Sequence, residues 1–135
     1  MHGVFLDVST VTDGDLDMDP LRATLDSWTF SGLTAPGDIA QAIRDADIVV
    51  SNKAVLDRDA IAAAGRLRLI CIAATGTNNV DLDAARAGNI GVCNVRAYAT
   101  TSVVEHVFMV ILALQHRLAE HTAAVGRGQW EHASR

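Results

Sequence analysis

The chain is poor in the residues on which several classes of protein depend. Its 135 residues include only two cysteines, two prolines and one tyrosine. Basic residues do not cluster, and 11 of them stand against 16 acidic residues for a net charge of −5. The chain therefore lacks the positive surface that binds a phosphate backbone, and nucleic acid is not an expected partner.

The motifs of phosphate and metal sites are also missing. No Gly-x-Gly-x-x-Gly follows a predicted strand and no P-loop occurs, so the loops that hold a dinucleotide or nucleotide phosphate are absent from these residues. His116, His121 and His132 do not have the spacing of a zinc site. The sequence predicts no metal site.

The two cysteines, Cys71 and Cys93, lie in apolar runs without metal-ligand spacing. We predict that both are small buried side chains, since no basic neighbour is present to lower a thiol pKa. No basic and then apolar leader opens the chain. These features predict a reduced, soluble, cytoplasmic protein.

Five short apolar runs predict the strands of a parallel sheet. They are Val4–Asp7, the weaker Trp28–Phe30, Ile48–Val50, Leu69–Ile72 and Ile90–Cys93. Because the hydrophobicity of the runs is continuous rather than alternating, we expect helices to cover both faces of the sheet.

Capping signals for helices separate these runs. Four segments carry the signals of a helix start: Asp19-Pro20, Thr34–Asp38, Asp57 and Asp81. Gly65 and Gly88 are placed to end the last two helices. The alternation of strands and helices predicts an α/β fold, a flavodoxin-like parallel five-stranded sheet flanked by helices, with strand order 2-1-3-4-5.

The longest apolar run is Val107–Leu114, eight residues in length. A membrane-spanning helix needs about 20 such residues, so we predict a long apolar helix from Thr101 to about His121 instead. Its first half is apolar on nearly all sides, and such a helix must be buried against a partner, which this sequence does not contain. Glu105 and His106 are neighbours on this helix and do not face each other, which favours interface hydrogen bonds over an acid–base pair.

Small polar residues follow three of the predicted strands, at the edge where α/β sheets bind ligands. They are Ser51–Lys53, Ala74–Asn79 and Asn94. Backbone N–H groups around Gly76 can bind an anion such as a carboxylate, and the alternative is a simple strand-end turn. Lys53 is either a partner for an anionic ligand or a solvated surface residue, and Asn52 either lines the site or caps a turn.

Several of these segments together resemble the D-isomer-specific 2-hydroxyacid dehydrogenases. The matching segments are Ala73–Asp81 (AATGTNNVD), Gly91–Val95 (GVCNV) and Thr101–His106 (TSVVEH). Leu6-Asp7, Ser51–Asp57 (SNKAVLD) and Gly128–Trp130 (GQW) are most similar to the glycerate dehydrogenase, or hydroxypyruvate reductase, branch. The resemblance covers essentially the whole chain, with Arg96-Ala97 standing where the family has Pro-Gly.

The resemblance implies a division of the chain. In the family, a flavodoxin-like substrate-binding domain and a Rossmann domain are joined by crossing helices, with NAD(P)H and a 2-keto acid in the cleft. By this resemblance residues 1–98 form the substrate-binding domain, 99–122 the interdomain crossing helix, and 123–135 a linker toward a Rossmann domain.

The resemblance also implies roles for individual residues. Thr75, Gly76 and Thr77 match the loop whose amides bind the substrate carboxylate, and Thr75 also matches a position near the nicotinamide. Val103 matches a nicotinamide contact. The pair Asn52 and Lys53 matches the segment that lines the substrate side.

Two hypotheses for function follow. The family's catalytic Arg, Glu and His lie beyond the last residue of this sequence, so we expect an N-terminal part of an NAD(P)-dependent oxidoreductase that is inactive alone. Its reaction would interconvert a 2-keto acid of the hydroxypyruvate or glyoxylate type and a D-2-hydroxy acid. The alternative is a non-catalytic small-acid-binding or regulatory module that pairs with a full-length dehydrogenase.

Val107–Leu114 is expected to contact the Rossmann domain or a second copy of the chain, and an exposed apolar patch of this size predicts an oligomer.

Overall fold

Five parallel strands form one sheet in the first of two structural units, and the boundary between the units follows Arg96 in the chain. The strands are β1 (His2–Phe5), β2 (Ser27–Phe30), β3 (Ile48–Ser51), β4 (Leu69–Ile72) and β5 (Gly91–Asn94). Their order is β2-β1-β3-β4-β5, and each neighbouring pair is parallel. The predicted flavodoxin-like sheet is confirmed. The computed structural model describes residues 1–129, so Trp130, His132 and the predicted linker beyond Gln129 lie outside the described residues.

Four short helices of the first unit follow the predicted capping signals. They are α1 (Asp19–Arg22), α2 (Ile39–Ile43), α3 (Arg58–Ala63) and α4 (Leu82–Ala87). The carboxylates of Asp57 and Asp81 accept the N–H groups of Ala60 and Ala84, each at 2.8 Å, which confirms both N-caps. Helix α4 ends at Gly88 as predicted, but the residue in the left-handed conformation is Asn89, with a φ of 54°.

The hydrophobic core lies on one face of the sheet, where α2, α3 and α4 pack. Strand side chains such as Val4, Val49 and Ile70 meet helix side chains such as Ile43 and Ile61 there. All five are at most 5% exposed. Removing this apolar surface from water is the main source of stability that the unit has.

The opposite face of the sheet is covered less completely. It carries Ile48, Val50, Leu69, Cys71 and Cys93, which we call the open face. A cavity of about 370 Å³ opens over it, lined also by Leu21 of α1 and by Trp28. The expectation that helices cover both faces is wrong for β4 and β5, because α1 has only four residues and the other three helices of this unit pack on the core face.

The prediction for the cysteines is also wrong in part. Cys71 is half-buried and Cys93 is exposed. Both lie on the open face, and β5 is an edge strand, so the apolar run around Cys93 does not bury its side chain. An apolar sequence shows that the side chains of a strand are suited to burial, but they are buried only where a helix or another layer packs on that face.

The second unit consists of two helices, α5 (Thr100–Gln115) and α6 (Leu118–Gly126). A single helix from Thr101 to about His121 was the expectation, and it is wrong beyond Gln115. Arg117 adopts a φ of 50° between the two helices, which are bent by 63°. The Arg117 guanidinium then pairs with the Glu120 carboxylate, and α6 includes residues 123–126, the first part of the segment predicted as linker.

No residue of α5 is buried, although its middle is almost entirely apolar. Phe108 is 61% exposed and Leu114 is 74% exposed. No single helix within residues 1–129 has the length and hydropathy to cross a membrane; the bent pair of α5 and α6 meets those two criteria together.

Candidate functional site

The loops that leave β1, β3, β4 and β5 lie at the same edge of the sheet, because the strands are parallel. Backbone hydrogen bonds continue the pairing past the strand ends: the Leu6 N–H donates to the Val50 carbonyl at 3.0 Å, and the Ala73 N–H to the Ser51 carbonyl at 2.9 Å. The Val95 N–H donates to the Ala74 carbonyl at 3.1 Å. The polar segments identified in the sequence are therefore neighbours.

Asp7 organises the loop after β3. Its carboxylate is 2% exposed and accepts the backbone N–H groups of Asn52, Lys53 and Ala54, at 2.9, 2.5 and 2.8 Å. Three N–H donors compensate the cost of burying this charge. The sequence analysis gave Asp7 no role of its own; the available signal was an acidic residue that ends an otherwise apolar strand.

Asn52 is held by its neighbours. Besides the backbone bond to Asp7, its side-chain amide donates to the carbonyl and the hydroxyl of Thr10, at 3.1 and 2.9 Å. These contacts fit the turn-capping alternative for Asn52. The Lys53 side chain is exposed, and its ammonium group forms no ion pair within the part of the chain that the structure describes. Asn52 thus stabilises the loop that presents Lys53.

Amide side chains anchor the loop after β4 at two points. The Asn94 amide donates to the Thr75 carbonyl at 2.7 Å. The Asn79 side chain is buried and donates to the Ala54 carbonyl at 3.1 Å, which joins this loop to the loop after β3. Both asparagines stood among the polar residues of the sequence, but their roles as anchors depend on contacts that the sequence does not display.

Around these anchors, the backbone N–H groups of residues 74–79 have no protein partner within the described part of the chain, and those of Thr75, Gly76 and Thr77 lie inside that run. Over residues 1–129, the N–H groups of Thr75, Gly76 and Thr77 have no hydrogen-bond acceptor. Gly76 does not adopt a positive φ, but a Cβ added there would lie 3.0 Å from the Asn78 side-chain oxygen. The loop can therefore offer several N–H groups to an anion that replaces water.

Val103 belongs to the second unit. It lies in the first turn of α5, its N–H donates to the Ala99 carbonyl at 2.9 Å, and its side chain is 57% exposed. Its predicted contact with a nicotinamide stays a prediction.

Ala97, the first residue of the second unit, has an unusual backbone conformation. It belongs to the Arg96-Ala97 pair that stands where the family has Pro-Gly. Ala97 has a φ of 58°, in the left-handed region that glycine adopts more readily than alanine. By the resemblance glycine stands at this position, and this chain adopts the left-handed conformation with a Cβ in place. Ala97 is thus a site of local strain.

Comparison with known proteins identifies the family. Residues 8–127 match the family model described as D-isomer specific 2-hydroxyacid dehydrogenase, catalytic domain. The chain belongs to this family, as the resemblance predicted.

Two curated relatives and one solved structure illustrate the similarity. A hydroxypyruvate reductase from Blautia hydrogenotrophica is 32% identical over 97% of this chain and 41% of its own length. A glycerate dehydrogenase from Methylorubrum extorquens is 34% identical over 85% of this chain and 39% of its own length. An NAD-dependent formate dehydrogenase from Staphylococcus aureus, solved with NAD, superposes with a TM-score of 0.73 at 30% identity, over 96% of this chain and 42% of that one. The chain thus spans about two fifths of the length of these proteins.

Proposed function

We propose that this chain supplies the substrate-carboxylate site of an NAD(P)-dependent oxidoreductase. The reaction would interconvert a 2-keto acid of the hydroxypyruvate or glyoxylate type and a D-2-hydroxy acid. The observation that supports this most directly is the run of unpaired N–H groups at Thr75, Gly76 and Thr77. The names of the two curated relatives support the substrate class.

In the proposed binding mode, backbone N–H groups make the main contacts with the substrate, and the Lys53 ammonium group makes a smaller contribution. The N–H groups of residues 75–77 would donate to the two carboxylate oxygens, and the neighbouring Lys53 would add long-range attraction. Asp7 and Asn52 would act as positioning residues, since their hydrogen bonds hold the loop that carries Lys53. Holding the carboxylate orients the keto carbon for reaction.

The cofactor fits this chain only in part. Thr75 is exposed, so its hydroxyl is accessible to a nicotinamide, and Val103 is the second proposed contact. The glycine-rich loop that binds a pyrophosphate does not occur in these residues. The bound cofactor supplies the hydride, and no residue of this chain is assigned as the proton donor. We therefore expect the 135-residue chain to be inactive alone.

In the proposed arrangement, residues 1–98 bind substrate, 99–122 form the interdomain helix region, and 123–135 lead toward a Rossmann domain. The exposed apolar surface of α5 supports a partner at Val107–Leu114, either that domain or a second copy. The same surface also favours the alternative function, a non-catalytic acid-binding module that pairs with a full-length dehydrogenase. The two differ in whether a longer form of this protein oxidises NAD(P)H.

The test is an NMR titration of the purified chain with hydroxypyruvate, using hydroxyacetone as the analogue that lacks the carboxylate. We expect the amide signals of Thr75, Gly76 and Thr77 to shift with hydroxypyruvate only. Gly76→Ala crowds Asn78 and should weaken the response, whereas Gly65→Ala, where an added Cβ meets nothing within 4 Å, should not.

Three results would count against parts of the proposal. Equal responses to the two ligands would remove the carboxylate assignment, and shifts scattered away from residues 75–77 would remove the site. NADH-dependent reduction of hydroxypyruvate or glyoxylate by the chain would contradict its expected inactivity.

A further inference from the structure

We propose that Cys71 and Cys93 form a reversible redox-active dithiol that closes to an intramolecular disulfide on the open face of the sheet. The two residues are directly paired in register on β4 and β5. Their Sγ atoms are 3.5 Å apart, with Cys93 exposed and Cys71 half-buried. The proposal concerns the sheet alone and does not depend on the proposed carboxylate site.

The backbone geometry is compatible with a disulfide. Neighbouring strands are about 4.8 Å apart, which lies within the range of about 4.4–6.8 Å for the Cα atoms of bridged cysteines. Register-paired residues point to the same face, so both sulfurs are already on the open face. Side-chain rotation has to bring the sulfurs closer by only about 1.5 Å to reach bonding distance.

The oxidant in this step is a low-molecular-weight disulfide such as oxidised glutathione. The Cys93 thiolate attacks one sulfur of that disulfide, the S–S bond breaks, and one glutathione leaves as a thiolate. The Cys71 thiolate then attacks Cys93 Sγ and displaces the second glutathione. The two protons released by the cysteines end on the two glutathione thiols, which have gained two electrons.

Exposure and electrostatics set the order of attack. Cys93 is the accessible sulfur, so it meets the oxidant first. Burial, together with the smaller effects of the hydrogen bond to Cys93 and of its charge, raises the pKa of the Cys71 thiol to about 12. Once Cys93 is in a mixed disulfide it no longer carries a negative charge. Part of the obstacle to ionising Cys71 is then removed, and Cys71 becomes the resolving thiol.

The disulfide would be easily reduced and close to the loop after β4. Exposed disulfides are the labile ones, in contrast to buried structural bridges. Cys93 directly precedes Asn94, whose amide holds the Thr75 carbonyl, and Cys71 lies on the strand that leads into that loop. Oxidation would therefore crosslink the two strands between which the loop is anchored.

The experiment places the reduced 135-residue chain in glutathione buffers of increasing oxidised fraction and follows intact mass and free-thiol number. We expect a single chain, not covalently linked to another, that loses both thiols together, a protease fragment that joins the segments around residues 71 and 93, and full recovery with dithiothreitol. Cys71→Ser should stop as a glutathione adduct on Cys93. Cys93→Ser should react at least about tenfold more slowly, because its remaining thiol is half-buried and weakly ionised.

Two outcomes would overturn the proposal. One is a wild-type chain that accumulates the same mixed disulfide as Cys71→Ser, which would mean that Cys71 cannot resolve it. The other is a disulfide between two chains as the main product at low protein concentration. Circular dichroism of both serine variants checks that each keeps the fold, so that a missing reaction reports on the thiols.

Discussion

The two units of this chain use similar apolar residues with opposite results. In the first unit, leucines and isoleucines far apart in sequence meet on one face of a sheet and are almost fully buried. In the second unit, α5 is more continuously apolar and has no buried residue. Apolar composition is therefore not a measure of burial. A helix satisfies its backbone N–H and C=O groups internally, but its apolar side chains are removed from water only when another helix or sheet packs against them.

The largest expected effect compares the same substitution in the two units. Leu56 is 0% exposed and Leu114 is 74% exposed. Leu56→Ala should lower the free energy of unfolding by about 3–5 kcal/mol, because it removes a core side chain and leaves a cavity. At a protein concentration too low for association, Leu114→Ala should change it by less than about 0.5 kcal/mol, because the side chain is exposed in the single chain. Urea unfolding monitored by circular dichroism measures both values.

Light scattering on the same two variants tests the surface of α5. If Val107–Leu114 contacts a second copy, the Leu114→Ala variant should have a lower apparent mass than the wild-type chain. The Leu56→Ala variant, measured under conditions in which it is folded, should have the same apparent mass as the wild-type chain. A wild-type chain that is strictly monomeric would contradict self-association. A stability loss for Leu114→Ala as large as that for Leu56→Ala would contradict the contrast between the units.

The second effect extends the comparison from apolar to charged residues. Asp7 is buried against three N–H donors, whereas Glu105 of α5 is exposed. Asp7→Asn removes the charge and turns an amide NH₂ toward donors, so we expect a loss of about 1–3 kcal/mol. Glu105→Gln should be nearly neutral. Thermal unfolding of both variants measures the difference, and equal effects would show that the Asp7 contacts contribute nothing to stability.

The sheet could be predicted from sequence because its signals are local. Five apolar runs alternate with capped helices, and the rules for right-handed crossovers leave few strand orders. Asp57 and Asp81 act three residues from the N–H groups that they cap, so a short window of sequence contains the whole interaction.

Other features could not be predicted, because they depend on contacts between residues far apart in sequence or on which helices cover a face of the sheet. Asp7 and Asn52 are 45 residues apart in sequence, and nothing near either residue indicates the contact. The exposure of Cys93 depends on which helices cover the open face. The loop at residues 75–77 was found from its position after a strand, but the Asn94 anchor that leaves its N–H groups free lies 19 residues from Thr75.

The smallest effect is expected at Ala97, the first residue of the second unit. Its φ of 58° is costly for alanine, so Ala97→Gly should relieve strain and stabilise the start of α5 by up to about 1 kcal/mol. The matched control is Ala62→Gly in α3, where the backbone is helical and the same change should cost about 1 kcal/mol. Hydrogen exchange of the first-turn amides, including the Val103 N–H, measures the effect at α5, and it should slow about fivefold. Faster exchange in Ala97→Gly would mean that the left-handed turn is not strained, and that the added freedom of glycine in the unfolded chain outweighs any relief.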